Sequence, residues 1–169
     1  MNAVLDAWNQ SEREPAVAAL LSCCAAQSWA DELAAMRPFT KEEELFAAAD
    51  HVWAEMHEPD WMQAFSAHPR IGDRKPAHAS AQSSAWSRQE QASAESAQDG
   101  VLAQLADGNQ RYEAQFGFTY IVCATGKSAE EMLQILNRRL DSDRLTELKE
   151  AAEQQRQITQ IRLRKWLQV

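Results

Sequence analysis

Phe118-Thr119-Tyr120-Ile121-Val122-Cys123-Ala124 is the one stretch of this chain whose β-branched and aromatic content reads as a β-strand, and its reading decides the fold class. A strand must pair its outward main-chain groups with another strand. A lone strand has no partner elsewhere in the 169 residues. The segment is therefore expected to be an extended or short helical connection buried between helices.

Working outward, helix signals stand on both sides. Gly117 is placed to end a helix over Val101–Phe116, and Gly126 precedes Ser128-Ala129-Glu130-Glu131, a capping box in which hydroxyl and carboxylate satisfy orphan amides reciprocally. Met132, Leu133, Ile135, Leu136 and Leu140 then recur at helical spacing. From Asp143 onward Leu145, Leu148, Ala152, Ile158 and Ile161 extend a C-terminal helix. Its cations Arg156, Arg162, Arg164 and Lys165 gather toward the end that the helix dipole favours. A second capping box, Thr40-Lys41-Glu42-Glu43, opens a helix carrying Leu45, Phe46, Ala49 and Trp53. Further helices are expected over Ala3–Gln10, Pro15–Cys24, Trp29–Met36, Asp60–Ser66 and Ser84–Glu95, with His78–Gly100 the most polar tract. With only five Gly and five Pro to interrupt it, the chain is expected to be all-α, a single-domain bundle of roughly eight helices over residues 1–169.

Composition narrows the function class. Hydrophobic residues make up 45% and charged residues 25%, an ordinary globular balance, and six Trp supply large core or groove fillers. A net charge of −8 argues against a nucleic-acid face, which needs clustered cations, and against an anionic membrane surface. Cys23, Cys24 and Cys123 are an odd set with a vicinal pair, which points to a reducing compartment. No apolar run reaches the ~20 residues of a membrane span. The N-terminal residues lack a signal peptide's basic start, and Leu167-Gln168-Val169 is no peroxisomal address, so a cytoplasmic protein is expected.

Three segments carry candidate chemistry. His68-Pro69-Arg70-Ile71-Gly72-Asp73 puts a histidine before proline, hence at a helix end facing a loop, with Arg70, Asp73, Arg74 and Lys75 close by. Taken alone, His68-Pro69 reads more simply as a helix terminus. Ser87-Arg88-Gln89-Glu90-Gln91 places Ser87, Glu90 and Gln91 on one helix face, which a solvated polar surface would also explain. Between Gly117 and Ser128, buried amides outside any helix need partners; a ligand with amide or urea edges could supply them, as could a packed core connection. Metal chemistry is disfavoured, because His51, His57, His68 and His78 never stand at i,i+3 or i,i+4, and neither His-Glu-x-x-His nor Cys-x-x-Cys occurs. Cys23 and Cys24 sit in an apolar stretch and read as core rather than nucleophiles. Gly126-Lys127-Ser128 ends like a phosphate loop but lacks its earlier glycine.

In this order the segments resemble the 2-oxo-4-hydroxy-4-carboxy-5-ureidoimidazoline (OHCU) decarboxylase family. The resemblance rests on Trp29 with Arg37-Pro38-Phe39, Ala67 through Asp73, Ser87 with Glu90-Gln91, Asn109-x-x-Tyr112-x-x-x-Phe116-Gly117, Tyr120 through Ser128, Arg138-Arg139-Leu140 and Ile158-Thr159-x-Ile161-Arg162-Leu163. Two departures are visible. Ala92-Ser93-Ala94-Glu95-Ser96 replaces the glycine-containing continuation usual after Glu90-Gln91, and Asp141 stands where Asn is common.

The resemblance implies packed helices, a homodimer, no metal or organic cofactor, and a small-molecule ureidoimidazoline substrate converted to (S)-allantoin and CO2 in urate degradation. By motif position it implies His68 and Glu90 as the catalytic pair. Pro69, Ser87, Gln91, the main chain of Tyr120, Ile121, Val122, Cys123 and Ala124, and Arg162 would hold the substrate. These residue types suit the reaction. Histidine, with an ordinary pKa of about 6.5, moves protons near neutrality, and arginine offers a forked donor to a carbonyl or carboxylate. Two other classes remain to be weighed: a silent helical module that binds a ureide, and a hydrolase acting one step earlier, for which no separate water-and-base cluster is visible.

Overall fold

The computed structural model describes residues 2–72, 80–94 and 99–169, the Asp99 side chain excepted. Asp73, Arg74, Lys75, His78, Glu95 and Ser96, all singled out above, lie outside the described residues. Among the described residues the chain is all-α, with nine α-helices, one short 3-10 turn and no strand. The helices are α1 (Ala3–Gln10), α2 (Arg13–Cys23), α3 (Gln27–Ala35), α4 (Glu42–Glu55), α5 (Glu58–Ser66), α6 (Ala81–Glu90), α7 (Asp99–Phe116), α8 (Ala129–Arg139) and α9 (Arg144–Trp166); the turn is Ala92–Ala94.

Several helix limits differ from expectation, for local reasons. α2 and α5 start two residues earlier than Pro15 and Asp60, because Pro15 and Pro59 fall in the first turn, where a missing N–H costs nothing. α6 begins at Ala81 because the Ser80 hydroxyl accepts from the Ser83 N–H at 3.1 Å, and it stops at Glu90 rather than running to Glu95. The box before α4 is built one residue later than expected. The Glu44 carboxylate, not Glu43, takes the Thr40 N–H at 3.0 Å and the Lys41 N–H at 3.3 Å. Ser128 caps α8 as expected, accepting from the Glu131 N–H at 3.1 Å.

Two compact units are distinguishable. The first is discontinuous: Met1–Ala64 together with Arg156–Val169. Its core holds Trp8, Trp29, Trp53, Leu20, Leu33 and Leu45, all buried. The two deepest indoles keep partners, Trp8 donating to the Ala16 carbonyl and Trp29 to the Ala49 carbonyl, each at 3.0 Å. Arg37-Pro38-Phe39 is architectural here. The Arg37 guanidinium donates to the Trp8 carbonyl at 2.6 Å and the Ser11 carbonyl at 3.0 Å, while Asn9 pairs both ways with the Phe39 main chain. The last turns of α9 close this unit: Trp166 meets Trp8 edge-on at 5.7 Å, and Gln160 donates to the Phe46 carbonyl at 2.9 Å.

The second unit is Phe65–Gln155. Its centre is an aromatic cluster of Phe65, Tyr112, Phe116, Phe118 and Tyr120, with ring centroids between 4.6 and 6.3 Å apart in the contacting pairs. α7 and α8 pack closely enough that a Cβ on Gly108 would lie 2.6 Å from Leu136 Cδ2. Among the described residues no helix is long and apolar enough to cross a membrane.

Candidate active site

Leaving α5, the chain makes one more helix-like bond, from the His68 N–H to the Phe65 carbonyl at 3.1 Å, and Pro69 then forbids another turn. His68 is half-buried and Pro69 buried. The loop that follows is clamped by three helices of its own unit. Arg70 forms a two-pronged pair with Glu113 of α7, at 2.7 and 2.8 Å. The Ile71 carbonyl accepts from Asn109 of α7 at 3.1 Å. The Gly72 N–H donates to the Gln91 side chain, at the C-cap of α6, at 3.0 Å. Gly72 takes φ +86°, a conformation costly to any residue with a Cβ. Finally, His68 Nε2 lies 2.6 Å from Gln155 Oε1 on α9. Arg70 thus shapes the loop, and so does the side-chain carbonyl of Gln91.

α6 turns its polar face inward. Ser83, Ser87 and Glu90 are 5%, 4% and 8% exposed, whereas Arg88 and Gln89 between them face solvent. A solvated polar surface is therefore ruled out for Ser87 and Glu90. Burying hydroxyls and a carboxylate is costly unless partners or a ligand answer them.

The strand-like segment is neither strand nor helix, and Phe118 and Tyr120 through Ala124 are all at most 6% exposed. Side chains supply what a neighbouring strand would. Gln154 on α9 accepts the Cys123 N–H at 2.8 Å, Arg139 donates to the Ile121 carbonyl at 2.5 Å, and Lys127 Nζ donates to the Cys123 carbonyl at 2.6 Å. The Tyr120 hydroxyl donates to the Met132 carbonyl at 2.9 Å. Arg139 in turn is held by Glu147, which also accepts from the Tyr112 hydroxyl. Burial pushes the Tyr112 and Tyr120 phenols above their ordinary range, against the opposing Arg139 charge. Among the described residues, the amide N–H groups of Ile121, Val122 and Ala124 receive no protein acceptor.

Arg162 belongs to the first unit, 3% exposed on α9 beside Cys23 and Cys24. Burial pushes both thiols up, Cys24 to about 11, even though the Ala26 amide, Thr159 and the Arg162 charge favour its thiolate. These two cysteines are core, as expected, and poor nucleophiles.

Within the second unit, then, hydrogen bonds tie the loop after His68 to Gln91 at the end of α6, where Ser87 and Glu90 are buried, while α9 holds both His68 and the Tyr120–Ala124 main chain. The adjacent Gln155 and Gln154 make the last two of these contacts. Sequence reasoning missed both glutamines, together with the buried Arg139–Glu147 pair. A signal for one of them existed: Leu148, Ala152, Gln155, Thr159 and Arg162 fall on one helical stripe, so Gln155 sits where an apolar residue is expected.

Comparison with known proteins adds the family. The chain is 33% identical over 144 residues to the uric acid degradation bifunctional protein TTL of Arabidopsis thaliana, covering 85% of this chain but spanning only 44% of that protein's length. It is 27% identical over 138 residues to the 2-oxo-4-hydroxy-4-carboxy-5-ureidoimidazoline decarboxylase of Haloferax volcanii, covering 80% of this chain and 79% of that one. A crystal structure of an OHCU decarboxylase in the presence of (S)-allantoin superposes with a TM-score of 0.78 at 31% identity, over 94% of this chain and 100% of that one. The sequence pattern of the OHCU decarboxylases matches residues 9–164, which takes in every helix from α2 to α8, the clamped His68 loop and the Gln154–Gln155 turn. A match of that extent concerns the whole fold rather than one motif, and by it the chain belongs to the OHCU decarboxylase family.

Proposed function

We propose that residues 1–169 act as one domain that decarboxylates 2-oxo-4-hydroxy-4-carboxy-5-ureidoimidazoline to (S)-allantoin and CO2 in urate degradation, without a cofactor. The observation that carries this reading is the inward polar face of α6: Glu90 and Ser87 are buried on the helix whose C-cap ties down the His68 loop. Burial of a carboxylate and a hydroxyl at this point supports a role toward a ligand, since a solvated surface would have left both in water.

The chemistry asks little more of the protein. When the carboxylate leaves, its bonding pair passes to the carbon that bore it, and the adjacent ring C=N accepts the displaced electrons, giving an enol-like intermediate. The ring nitrogen that receives the displaced pair takes up a proton; the hydroxyl then gives up its own to become a ketone, and the ureido-bearing carbon gains one from a single face. The substrate's own C=N is the electron sink, a role for which other decarboxylases recruit an organic cofactor. His68 contacts the hydroxyl and carboxylate side and manages a proton. Glu90, if ionised beside the substrate carboxylate, destabilises the ground state that CO2 loss relieves. The N–H groups of Ile121, Val122 and Ala124 match carbonyl edges of the ring and ureido group, with Pro69, Ser87, Gln91, Tyr120 and Cys123 completing the surround. Motif position assigns Arg162 to a substrate carbonyl or carboxylate, where its fork offers paired donors. We further propose a cytoplasmic homodimer whose partner molecules are small ureides and not nucleic acid or membrane.

Circular dichroism of freshly generated OHCU tests the reading, because uncatalysed decay gives racemic allantoin. Wild-type protein should produce the optically active (S) form, and His68→Ala or Glu90→Gln should abolish it while the fold persists. Ligand binding without CO2 release would identify a silent ureide-binding module instead. Activity lost on exhaustive chelation and restored by a metal would refute the cofactor-free step.

A further inference from the structure

Resting on the reading of His68 as the proton-handling group, we infer that Gln155 is a positioning residue that selects the tautomer of His68. It holds the ring proton on Nε2, so that the lone pair of the neutral imidazole sits on Nδ1.

Gln155 is 0% exposed, and its Oε1 stands 2.6 Å from His68 Nε2 across 87 residues of sequence. An amide oxygen only accepts, so the nitrogen facing it must carry the proton. The imidazole has two distinct nitrogens, and the partner of one dictates which of them is basic. A glutamine at this place does something that Asp or Glu would not. A carboxylate would stabilise the imidazolium and raise the pKa of the ring, whereas the amide orients the ring without adding charge. Among the charged groups on the elements that clamp the loop, Arg70 is paired with Glu113 of α7 and Glu90 is buried at the end of α6 beside the exposed Arg88. α7 also carries Asp107 and Arg111, and on α9 Glu150 and Glu153 precede Gln155 and Arg156 follows it in sequence. Gln154 shows the same usage one residue earlier: its Oε1 accepts the Cys123 N–H while its amide nitrogen donates to Glu150 at 2.9 Å. Two successive glutamines of α9 thus set the two parts that the proposed reaction needs, the ring of His68 and the main chain of the Tyr120–Ala124 segment.

The test uses the full chain with two variants of nearly unchanged shape, Gln155→Met and Gln155→Glu. In ligand-free wild-type protein above the His68 titration, 15N chemical shifts should place the proton on Nε2, and Gln155→Met should give a mixture of tautomers. In turnover, Gln155→Met should lower kcat by about 10–100-fold with KM within about two-fold, the scale on which outer partners of a working histidine act. Gln155→Glu should move the histidine-dependent limb of the pH–rate profile upward by about one pH unit or more, because a neighbouring carboxylate favours the charged ring. That direction is the same whether His68 acts as acid or base, and loosened packing alone would not produce it. An Nδ1–H tautomer in the wild type overturns the inference, as does an unmoved limb in Gln155→Glu together with wild-type kcat in Gln155→Met. The spectroscopic readout needs no turnover. If wild-type protein yields no (S)-allantoin yet carries the proton on Nε2, the functional reading fails while the selection of the His68 tautomer by Gln155 stands.

Discussion

Replacing Glu147 by Gln should cost about 3 kcal/mol of stability, at the lower end of the 3–5 kcal/mol lost when one partner of a buried ion pair is removed. The side chains of Arg139 and Glu147 are 7% and 1% exposed, so neither can turn to water. In wild-type protein Glu147 accepts from both Arg139 and the Tyr112 hydroxyl, and Arg139 also donates to the Ile121 carbonyl at 2.5 Å. Glutamine keeps the shape and one acceptor oxygen but removes the charge. The guanidinium then rests on the Ile121 carbonyl and on the rings of Tyr120 and Tyr112, whose centroids lie 4.9 and 5.8 Å away. Such ring contacts return about 0.5–2 kcal/mol, which is why the lower end of the range applies. With a urea m-value of about 2 kcal/mol per molar, the midpoint should fall by about 1.5 M. The melting temperature should fall by about 6–12 °C. Arg139→Met should be comparably costly, and Arg139→Met with Glu147→Leu should cost less than the two single changes added, by about 1–3 kcal/mol of coupling. A loss below about 1 kcal/mol for Glu147→Gln would refute the view that this cluster carries an uncompensated charge when broken.

Two further outcomes follow from buried groups and from backbone conformation. Burial raises Cys23, Cys24, Tyr112 and Tyr120 in the folded state, whereas exposed thiols ionise near 9.0 and phenols near 10.0, so above about pH 9 the unfolded chain holds fewer protons than the native one. Stability from these groups is intact below that pH and declines as pH rises, by up to about 1.4 kcal/mol per unit for each group, until the folded state ionises too. For Cys24 that limit is about 11. Urea midpoints taken between about pH 8 and about pH 10.5 should therefore fall, and Cys24→Ala should flatten the decline; a constant midpoint would contradict the assignment. Gly117 ends α7 at φ +84°, so Gly117→Ala should lower stability by about 1–2 kcal/mol in thermal unfolding, and an unchanged melting temperature would count against a strained cap.

What was legible in the sequence is what local rules encode. Apolar residues at helical spacing, Ser128 before its carboxylates and glycine after Phe116 marked α7, α8 and α9. The lack of any second strand-like run disposed of Phe118–Ala124 as sheet. His68, Glu90 and Ser87 stand out through motifs, and the burial of Ser87 and Glu90 excludes a solvated α6 face. The errors were of two kinds. At α2 the expected start is Pro15 and at α5 Asp60, just after Pro59, whereas both prolines sit within the first turn; at α4 the cap falls one residue later, which moves the partner carboxylate to Glu44. The larger omissions, Gln155 and the Arg139–Glu147 pair, share a physical cause. Glu147, Gln154 and Gln155 have ordinary helix-former chemistry, and only the packing of α9 against the His68 loop and the irregular segment turns them inward. Chain-local patterning does not register which polar side chains meet across 87 residues.

The return of the chain to its first unit bears on how the protein is made. Residues up to Ala64 are synthesised long before Arg156–Val169, yet the α1–α4 helices are completed by Trp166 against Trp8, Gln160 against Phe46 and the Leu167 carbonyl against the Asn2 side chain. While residues 65–155 are being added, on the order of 5–20 s at about 5–20 residues per second, the nascent N-terminal helices present the surface around Trp8 and Phe46 without its cover. The second unit meets no such delay, since all of Phe65–Gln155 is contiguous. The part that holds His68 and Glu90 is thus drawn from one continuous stretch of chain, whereas the tryptophan-rich part joins residues made first to residues made last and cannot be completed before the final helix exists.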